Sequence, residues 1–500
     1  MKNLILFFGI IFSLSKGYGQ VTFNKTYEFS SGWDLGIASL IEEDSSIYSL
    51  IQSPITGGAK VYLAYLDPLG DTLWSKNILN FDNYPKTLGG NNGSETLNRY
   101  NDSLLLISGI KTLDTINFSS DSSVAFLYMI SNTGDSIWYK EYGIGDSTYT
   151  KIRGSIINDD GTIISVGTSN SANWPGFESY LLKSDSVGNI LWEKHITNSN
   201  SQGTDIVKQT PDGGYILSGG VLTSISEWDQ IVIKVNALGN VVWRKEFGTV
   251  GESEYRTYVN VLTDTNYIIA GVMVNPLNSK ELAFLAKLDL NGDTIWTQTY
   301  EKPAACFFTG VPIELNDGSL LLSGIVADTG TSITQSVWIV KVDSIGNMLW
   351  DRSFNINGGQ NLNKIFDLDT CSNGGILLTG AVTSFPPTEW YAWLAKLDSN
   401  GCEQTGCANY LSVIENEADE EPIEFTIYPN PSTGMVNIEL ENDNIGNSLS
   451  IYNIVGEQIL SEQIVDDEIK KDLSHLPKGI YIILVTDKFG QFDYKKLVLE

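Results

Sequence analysis
The sequence predicts an all-β protein: a ring of seven four-stranded sheets followed by a small β-sandwich. Three observations carry that prediction: the composition, an internal repeat of about 50 residues, and a short β-rich tail set off by an acidic stretch. Of 500 residues, 42% are apolar and 18% charged, the balance of packed domains rather than disorder. Forty-seven glycines and 11% aromatics suit turn-rich β structure. The length allows two or three domains at roughly 100–200 residues each. With 31 Lys+Arg against 60 Asp+Glu the net charge is −29. Such a polyanion repels nucleic acid and anionic bilayers, which argues against both as partners. Two histidines and four cysteines leave little material for a metal site or a His-based triad, so neither metal nor cofactor is expected.

The N-terminus reads as a targeting segment. Lys2 precedes an apolar run from Leu4 to Leu14, and Gly17-Tyr18-Gly19 places small residues ahead of Gln20. This is the pattern of a cleaved secretory signal over residues 1–19. The run falls well short of the ~20 residues that span a bilayer, and no other stretch approaches that length. The mature chain is expected to lack a transmembrane segment.

The middle of the chain is organised by the repeat. One unit reads Lys287-Leu-Asp-Leu-Asn-Gly292-Asp-Thr-Ile-Trp296, and related segments carry Gly70, Gly134, Gly188, Gly239, Gly346 and Gly401. In the six units before Gly401 a tryptophan follows the glycine by four positions: Trp74, Trp138, Trp192, Trp243, Trp296 and Trp350. Around each unit lie two hairpin signals. Asn-Asp-Asp-Gly161, Pro-Asp-Gly213, Asn-Asp-Gly318 and Ser-Asn-Gly374 turn the first pair of strands, and the Asp-x-x-Gly-Asn/Asp segment turns the second. Glycine accepts the positive φ such turns require. Four strands per unit make the blade of a β-propeller, at a kelch-like period, over residues 20–408. After Gly401 no tryptophan strand follows, whereas Phe23-Asn-Lys25-Thr-Tyr27 supplies one with Phe in place of Trp. The N-terminal strand is therefore expected to complete the seventh blade and remove an exposed edge. The Gly-x-x-x-Trp unit is similar to the tryptophan-docking repeat of quinone-dependent propeller dehydrogenases, in which the ring staples neighbouring blades. The adjacent cysteine pair that those enzymes place beside the quinone is missing here, and the cofactor does not carry over.

Alternation in the second hairpin sets Lys287 opposite Trp296, so its stem and ammonium are expected to cover the ring. Asp289-x-Asn291-Gly-Asp293 resembles a short calcium loop but has no following bidentate Glu, and it reads as a turn former. In an oxidising compartment the cysteines suggest disulfides. Cys402 and Cys407 are expected to form a local bridge where the last blade ends, while Cys306 and Cys371, at opposite ends of equivalent strands, are expected to stay unpaired. Residues 409–423, with Glu415, Glu417, Asp419, Glu420 and Glu421, read as an acidic linker.

Residues 424–500 alternate again as short strands, a small Ig-like β-sandwich. Tyr428-Pro429-Asn430-Pro431, the strand and turn ending at Gly456, Leu476-Pro477-Lys478-Gly479-Ile480-Tyr481, and Lys495-Lys496 stand in a recognisable order. This stretch resembles the type A C-terminal sorting domain of the Bacteroidetes type IX secretion system. The resemblance implies recognition by that machinery after passage through the periplasm, then release or attachment at the outer-membrane surface.

The activity is less legible. No Gly-x-Ser-x-Gly elbow, His-Glu-x-x-His helix or phosphate loop occurs, and His195 reads as a surface strand residue. The leading expectation is a binding module for a glycan or a surface protein. The alternative is a glycoside hydrolase or lyase, which would need two carboxylates about 5–10 Å apart. Because strand direction alternates, the two tight turns of every blade share one rim of the ring, and the longer connections share the other. Trp174, Trp228 and Trp390 fall on that second rim, just before the third strands of blades three, four and seven. They are candidate stacking platforms, with Asp229 a candidate partner for ligand hydroxyls.

Overall fold
A computed structural model describes residues 22–500 apart from 30–32, 56–57, 83–94, 113–122, 144–148, 172–173, 198–199, 225–226, 255–256, 304, 328–334, 355–361, 384–388, 403–423, 442–447, 454–457, 465–467 and 487–491. Residues 1–19 and 409–423, expected to be a signal segment and an acidic linker, lie outside the described residues, as do Cys407 and Gly456. The chain divides into two compact units, one ending at Asn409 and one beginning at Tyr410.

In the first unit every described element is a strand, and antiparallel strands pair in chain order in four-stranded sets. These sets span 35–82, 97–142, 149–196, 202–247, 257–300, 306–354 and 363–397, the last completed by the strand Phe23–Tyr27. A single parallel pair, Tyr149 with Ser123, joins the second and third sets, and in the sixth the innermost strand is broken in two. Apolar residues from facing sheets form the cores between neighbours. Ile47, Ile51, Leu66, Leu377 and Leu394 are buried with Phe23 in the one that joins the first set to the last. The ring is thus closed as the sequence predicts, with Phe23 opposite Lys396 and Tyr27 opposite Ala392.

What holds one blade to the next is a recurrent clasp on the tight-turn rim. The ring of Trp243 lies where a Cβ on Gly292 of the next blade would stand, 2.9 Å away, and Trp138, Trp192, Trp296 and Trp350 meet Gly188, Gly239, Gly346 and Gly401 in the same manner. The Trp243 Nε1–H donates to Leu290 O at 2.9 Å. Two residues beyond the tryptophan, Lys245 pairs with Asp293 at 2.8 Å. Further along, tyrosine hydroxyls close the grip: Tyr142 on Gly188 O at 2.8 Å and Tyr300 on Gly346 O at 2.7 Å. The N-terminal strand repeats the device with Phe23 against Gly70, Lys25 on Asp71 and Tyr27 on Gly70 O. The first blade departs from it. Trp74 stacks on Tyr65 of its own blade at 5.7 Å, and Lys76 and Ile78 meet Gly134 instead.

The lysines opposite the tryptophans need a correction. Lys287 does stand across from Trp296, but its ammonium goes to Asp264 of its own first turn at 2.6 Å. Lys234 and Lys341 likewise pair with Asp212 and Asp317 at 2.9 Å. A carboxylate within reach attracts an ammonium more strongly than a ring face does. The turn acids behave as expected: Asp289 Oδ1 accepts the N–H groups of Asn291 and Asp293 at 2.8 and 2.9 Å, and the Asp293 N–H is the main cause of its lowered pKa. Cys306 and Cys371 are buried free thiols. Cys402 is buried at the end of the last blade, and its bridge to Cys407 stands as a proposal.

In the second unit, Glu424–Tyr428, Met435–Glu441 and Glu468–Asp472 form one sheet. Gln458–Gln463, Ser448–Asn453, Gly479–Thr486 and Phe492–Leu499 form the other. Phe425, Val436 and Ile438 from the first and Leu449, Ile451, Ile483 and Leu497 from the second share one buried core.

Two predictions follow from the propeller. Deleting Phe23–Tyr27 exposes the third strand of the last blade, and scanning calorimetry of the full chain should show a marked fall in Tm, whereas loss of a loose tail would leave it unchanged. Gly292 and Gly318 share φ +77°, but only Gly292 faces a ring. Gly318→Ala should cost about 1–2 kcal/mol for the backbone alone, and Gly292→Ala a further ~1–3 kcal/mol for the displaced tryptophan, both read by urea unfolding.

Candidate functional site
The innermost strands carry a β-bulge in several blades, and the bulged residue points where its neighbours do not. Register shifts mark Ile37, Tyr100, Arg153, Asp205 and Phe366. Glycine in the second strand makes room for it. A Cβ on Gly219 would stand 2.0 Å from Gly203 O, a contact no side chain can make. Blades one, two and seven thus carry Ile, Tyr and Phe at this point, whereas blades three and four carry Arg153 and Asp205.

Those two residues lie on the floor of a groove of about 410 Å³ between blades three and four. Arg153 Nε stands 3.4 Å from Asp205 Oδ1, beyond good hydrogen-bonding range, and the buried Nε has no hydrogen-bond partner. Tyr149, Phe177 and Trp228 form the walls, with Thr168, Gln202 and Ser253 between them. Tyr149 and Phe177 lean together at 4.9 Å, and Lys151 Nζ sits 4.1 Å over the Tyr149 ring. Gln202 is held by its own amide, which donates to Ile196 O at 2.7 Å, and by Arg244, which donates to its Oε1.

The position of Trp228 is fixed by a buried acid in the connection that follows its blade. Glu254 is fully buried, its N–H donates to Trp228 O at 2.5 Å, and its carboxylate accepts from Thr249 N–H at 2.8 Å and from Val274 N–H. The Trp228 N–H donates to Ser253 Oγ at 3.2 Å. In the third blade Phe177 occupies the equivalent place, donating its N–H to Ser201 Oγ at 3.1 Å ahead of the buried Gln202.

The three tryptophans singled out from the sequence each begin a third strand, and Trp228 lines this groove; the Trp174 side chain lies outside what the structure describes. Trp174 lies three residues ahead of Phe177 and pairs with Ser171. Trp390 is on the seventh blade, 6.5 Å from Trp33 with Lys364 Nζ 4.9 Å over its ring. Asp229, next in the strand to Trp228, alternates to the other face beside Gly248, where burial and the nearby Glu254 charge raise its pKa. Asp205 is the carboxylate among the groove's described lining residues. Tyr149, Phe177, Arg153 and Asp205 were not singled out. Arg153 and Asp205 carry one signal in the sequence, a charge at a repeat position held by Ile37, Tyr100 and Phe366 in blades one, two and seven.

His195 offers no relay. Ser169 Oγ and Glu178 Oε2 both reach the same nitrogen, Nδ1, at 2.9 and 3.1 Å, whereas a nucleophile and an orienting acid need different ones. Among the described residues no group of three or more His, Cys, Asp or Glu is placed to hold a metal.

A second cavity, about 230 Å³, lies among the innermost strands and is lined by Arg99, Lys208, Asn98, Asn260, Asp367 and Asp369. Its carboxylates have structural partners. Asp367 accepts the Ser39 and Leu368 N–H groups at 2.9 and 3.0 Å, and Lys208 pairs with the buried Glu95 at 2.9 Å. Burial pushes the Asp367 pKa up to about 8 against those hydrogen bonds, and it raises Asp369 and Glu95 in the same direction.

In the C-terminal unit the motif residues tie the first loop to the last strand. Asn430 Nδ2 donates to Lys496 O at 2.6 Å and its Oδ1 accepts the Val498 N–H at 2.9 Å. Tyr481 donates to Pro477 O at 2.8 Å, and Lys495 Nζ lies 5.3 Å from the Phe425 ring. Residues 426–500 match the family described as the secretion system C-terminal sorting domain. This unit is a type IX sorting domain. The protein is therefore exported by type IX secretion, to the cell surface or the medium, and the sorting domain is the part that the secretion machinery recognises.

The likenesses to whole proteins are partial. Beta-agarase A of Zobellia galactanivorans is 29% identical over 136 residues, 26% of this chain and 24% of that protein. Beta-agarase D of the same organism is 29% identical over 112 residues, 21% and 22%. The chain thus matches less than a quarter of the length of these relatives. Among solved structures, the β-propeller domain of the trilobed protease of Pyrococcus furiosus is similar with a TM-score of 0.39 and 10% identity, over 73% of this chain and 94% of that one.

The buried acids predict a pH dependence. A carboxyl with a raised folded pKa contributes stability that is complete below its unfolded value, near 3.8, and is lost as pH rises through the folded value near 8. Urea midpoints should fall from pH 5 to pH 8.5, and Asp367→Asn should flatten that slope. An unchanged slope would show Asp367 to be ionised throughout.

Proposed function
We propose that the exported propeller binds a glycan in the groove between blades three and four. The observation that carries this reading is the combination of Tyr149, Phe177 and Trp228 around the Arg153–Asp205 pair. Ring faces stack on the apolar faces of sugars, and a guanidinium and carboxylate with spare hydrogen-bonding capacity suit hydroxyls. The groove is held open by Glu254 and Gln202 rather than formed by its ligand, which lowers the ordering cost of binding. Two similar proteins are named as agarases, which makes agarose the first glycan to try, although the shared segment is too short to bring their activity with it.

Binding is favoured over hydrolysis. Cleavage of a glycosidic bond needs two carboxyl groups flanking it, and Asp205, already beside Arg153, is the one carboxylate among the groove's described lining residues.

The test is a glycan array that includes agarose oligosaccharides, followed by calorimetric titration of the full mature chain. Trp228→Ala and Phe177→Ala should each weaken binding about tenfold or more, equivalent to 1.4 kcal/mol per decade, with Tm nearly unchanged. A chain that binds no glycan, or variants that bind as tightly as the parent, would overturn the reading. A protein ligand captured by the same face would replace it.

A further inference from the structure
We infer that the second rim carries another sugar platform at Trp33 and Trp390, and that the ligand is a polysaccharide long enough to reach both sites. The inference rests on the reading of the groove as a glycan site.

The argument is a structural equivalence between two places in the ring. In blade four, a buried acid in the following connection, Glu254, donates its N–H to the carbonyl of the first residue of the third strand, Trp228. In blade seven, the buried Asp34 donates its N–H at 2.8 Å to the carbonyl of the corresponding residue, Trp390. Each acid also accepts the N–H of the residue five positions before it: Thr249 for Glu254 at 2.8 Å and Phe29 for Asp34 at 2.7 Å. Each is held by the second strand of the next blade or its neighbourhood, through Val274 N–H and Ser53 Oγ respectively. The same device therefore presents an aromatic ring on the same rim twice.

The residue ahead of the acid differs. In the groove it is Ser253, which lines the pocket. At the seventh blade it is Trp33, 46% exposed and inclined at 59° to Trp390. A tryptophan that merely closed the ring would be covered, as Trp338 and Trp393 are. Lys364 over the Trp390 ring adds a cationic donor beside the platform. Chemically this is the groove's composition again, aromatic faces with a hydrogen-bonding cation, in a flatter form that grips one or two sugar rings weakly.

Two weak sites on one rigid rim act together only on a ligand that spans them. A polymer with repeating sugars meets that condition at any length beyond the separation, and linking the two events can raise avidity by about 10²–10⁴. A short oligosaccharide can occupy the groove alone.

The experiment compares an agarose tetrasaccharide with soluble agarose chains on the full mature protein, both expressed per tetrasaccharide unit. The polymer should bind at least a hundredfold more tightly. Trp33→Ala and Trp390→Ala should bring polymer affinity down toward that of the tetrasaccharide and leave tetrasaccharide affinity unchanged, whereas Trp228→Ala lowers both. Trp33 is half exposed, so its variant keeps the test decisive if Trp390→Ala fails to fold. Equal affinity for both probes, or a polymer advantage that survives Trp33→Ala, would overturn the second platform while leaving the groove. Failure of both probes to bind would overturn the two readings together.

Discussion
Five of the seven blades are gripped by a neighbour's tryptophan. A four-stranded sheet has two faces and an exposed edge, and alone it cannot bury enough to stand. The Trp–Gly clasp supplies what the sheet lacks by setting a large ring on a backbone stretch with no Cβ. A lysine then pins the turn acid and a tyrosine caps the glycine carbonyl. The grip is between blades, so it propagates round the ring and is completed only when Phe23 takes the place of a tryptophan on Gly70.

This arrangement divides the two rims by role. The tight-turn rim is committed: its glycines, aspartates and aromatics are engaged in holding neighbours together, and substitution there is paid for in stability. The opposite rim carries connections of varied length that the clasp does not constrain. There, buried polar residues such as Glu254, Gln202 and Asp34 order the loops from within, and that ordering leaves aromatic side chains at fixed places on the surface. Loops on a rigid scaffold are where binding residues ordinarily sit, and the bulges bring Arg153 and Asp205 up from the innermost strands to the same place.

The sorting domain follows a different logic. Asn430 and Tyr481, which make the motif recognisable, spend their side chains on internal hydrogen bonds that lock the first loop and the last hairpin. The motif is thus partly a folding signature, which explains why it reads so clearly along the chain. Its exposed members include Lys478 and Lys496.

The repeat, the ring closure by Phe23–Tyr27 and the C-terminal address were legible in the sequence because each is written as local spacing: a glycine four residues before a tryptophan, a turn pair between β-rich runs, motifs in a set order. The rim tryptophans were legible only as candidates. Whether Trp228 lines a groove, Trp390 meets Trp33 or Asp229 turns away depends on which face of a strand each falls on and what the next blade brings opposite it. The partner that fixes Trp390, Asp34, is more than 350 positions distant in the chain, and the pair on the groove floor comes from two bulges that shift the alternation by one residue. Local pattern therefore determined the architecture and the export route. The composition of the candidate site was decided by packing between blades, which a one-dimensional spacing does not encode.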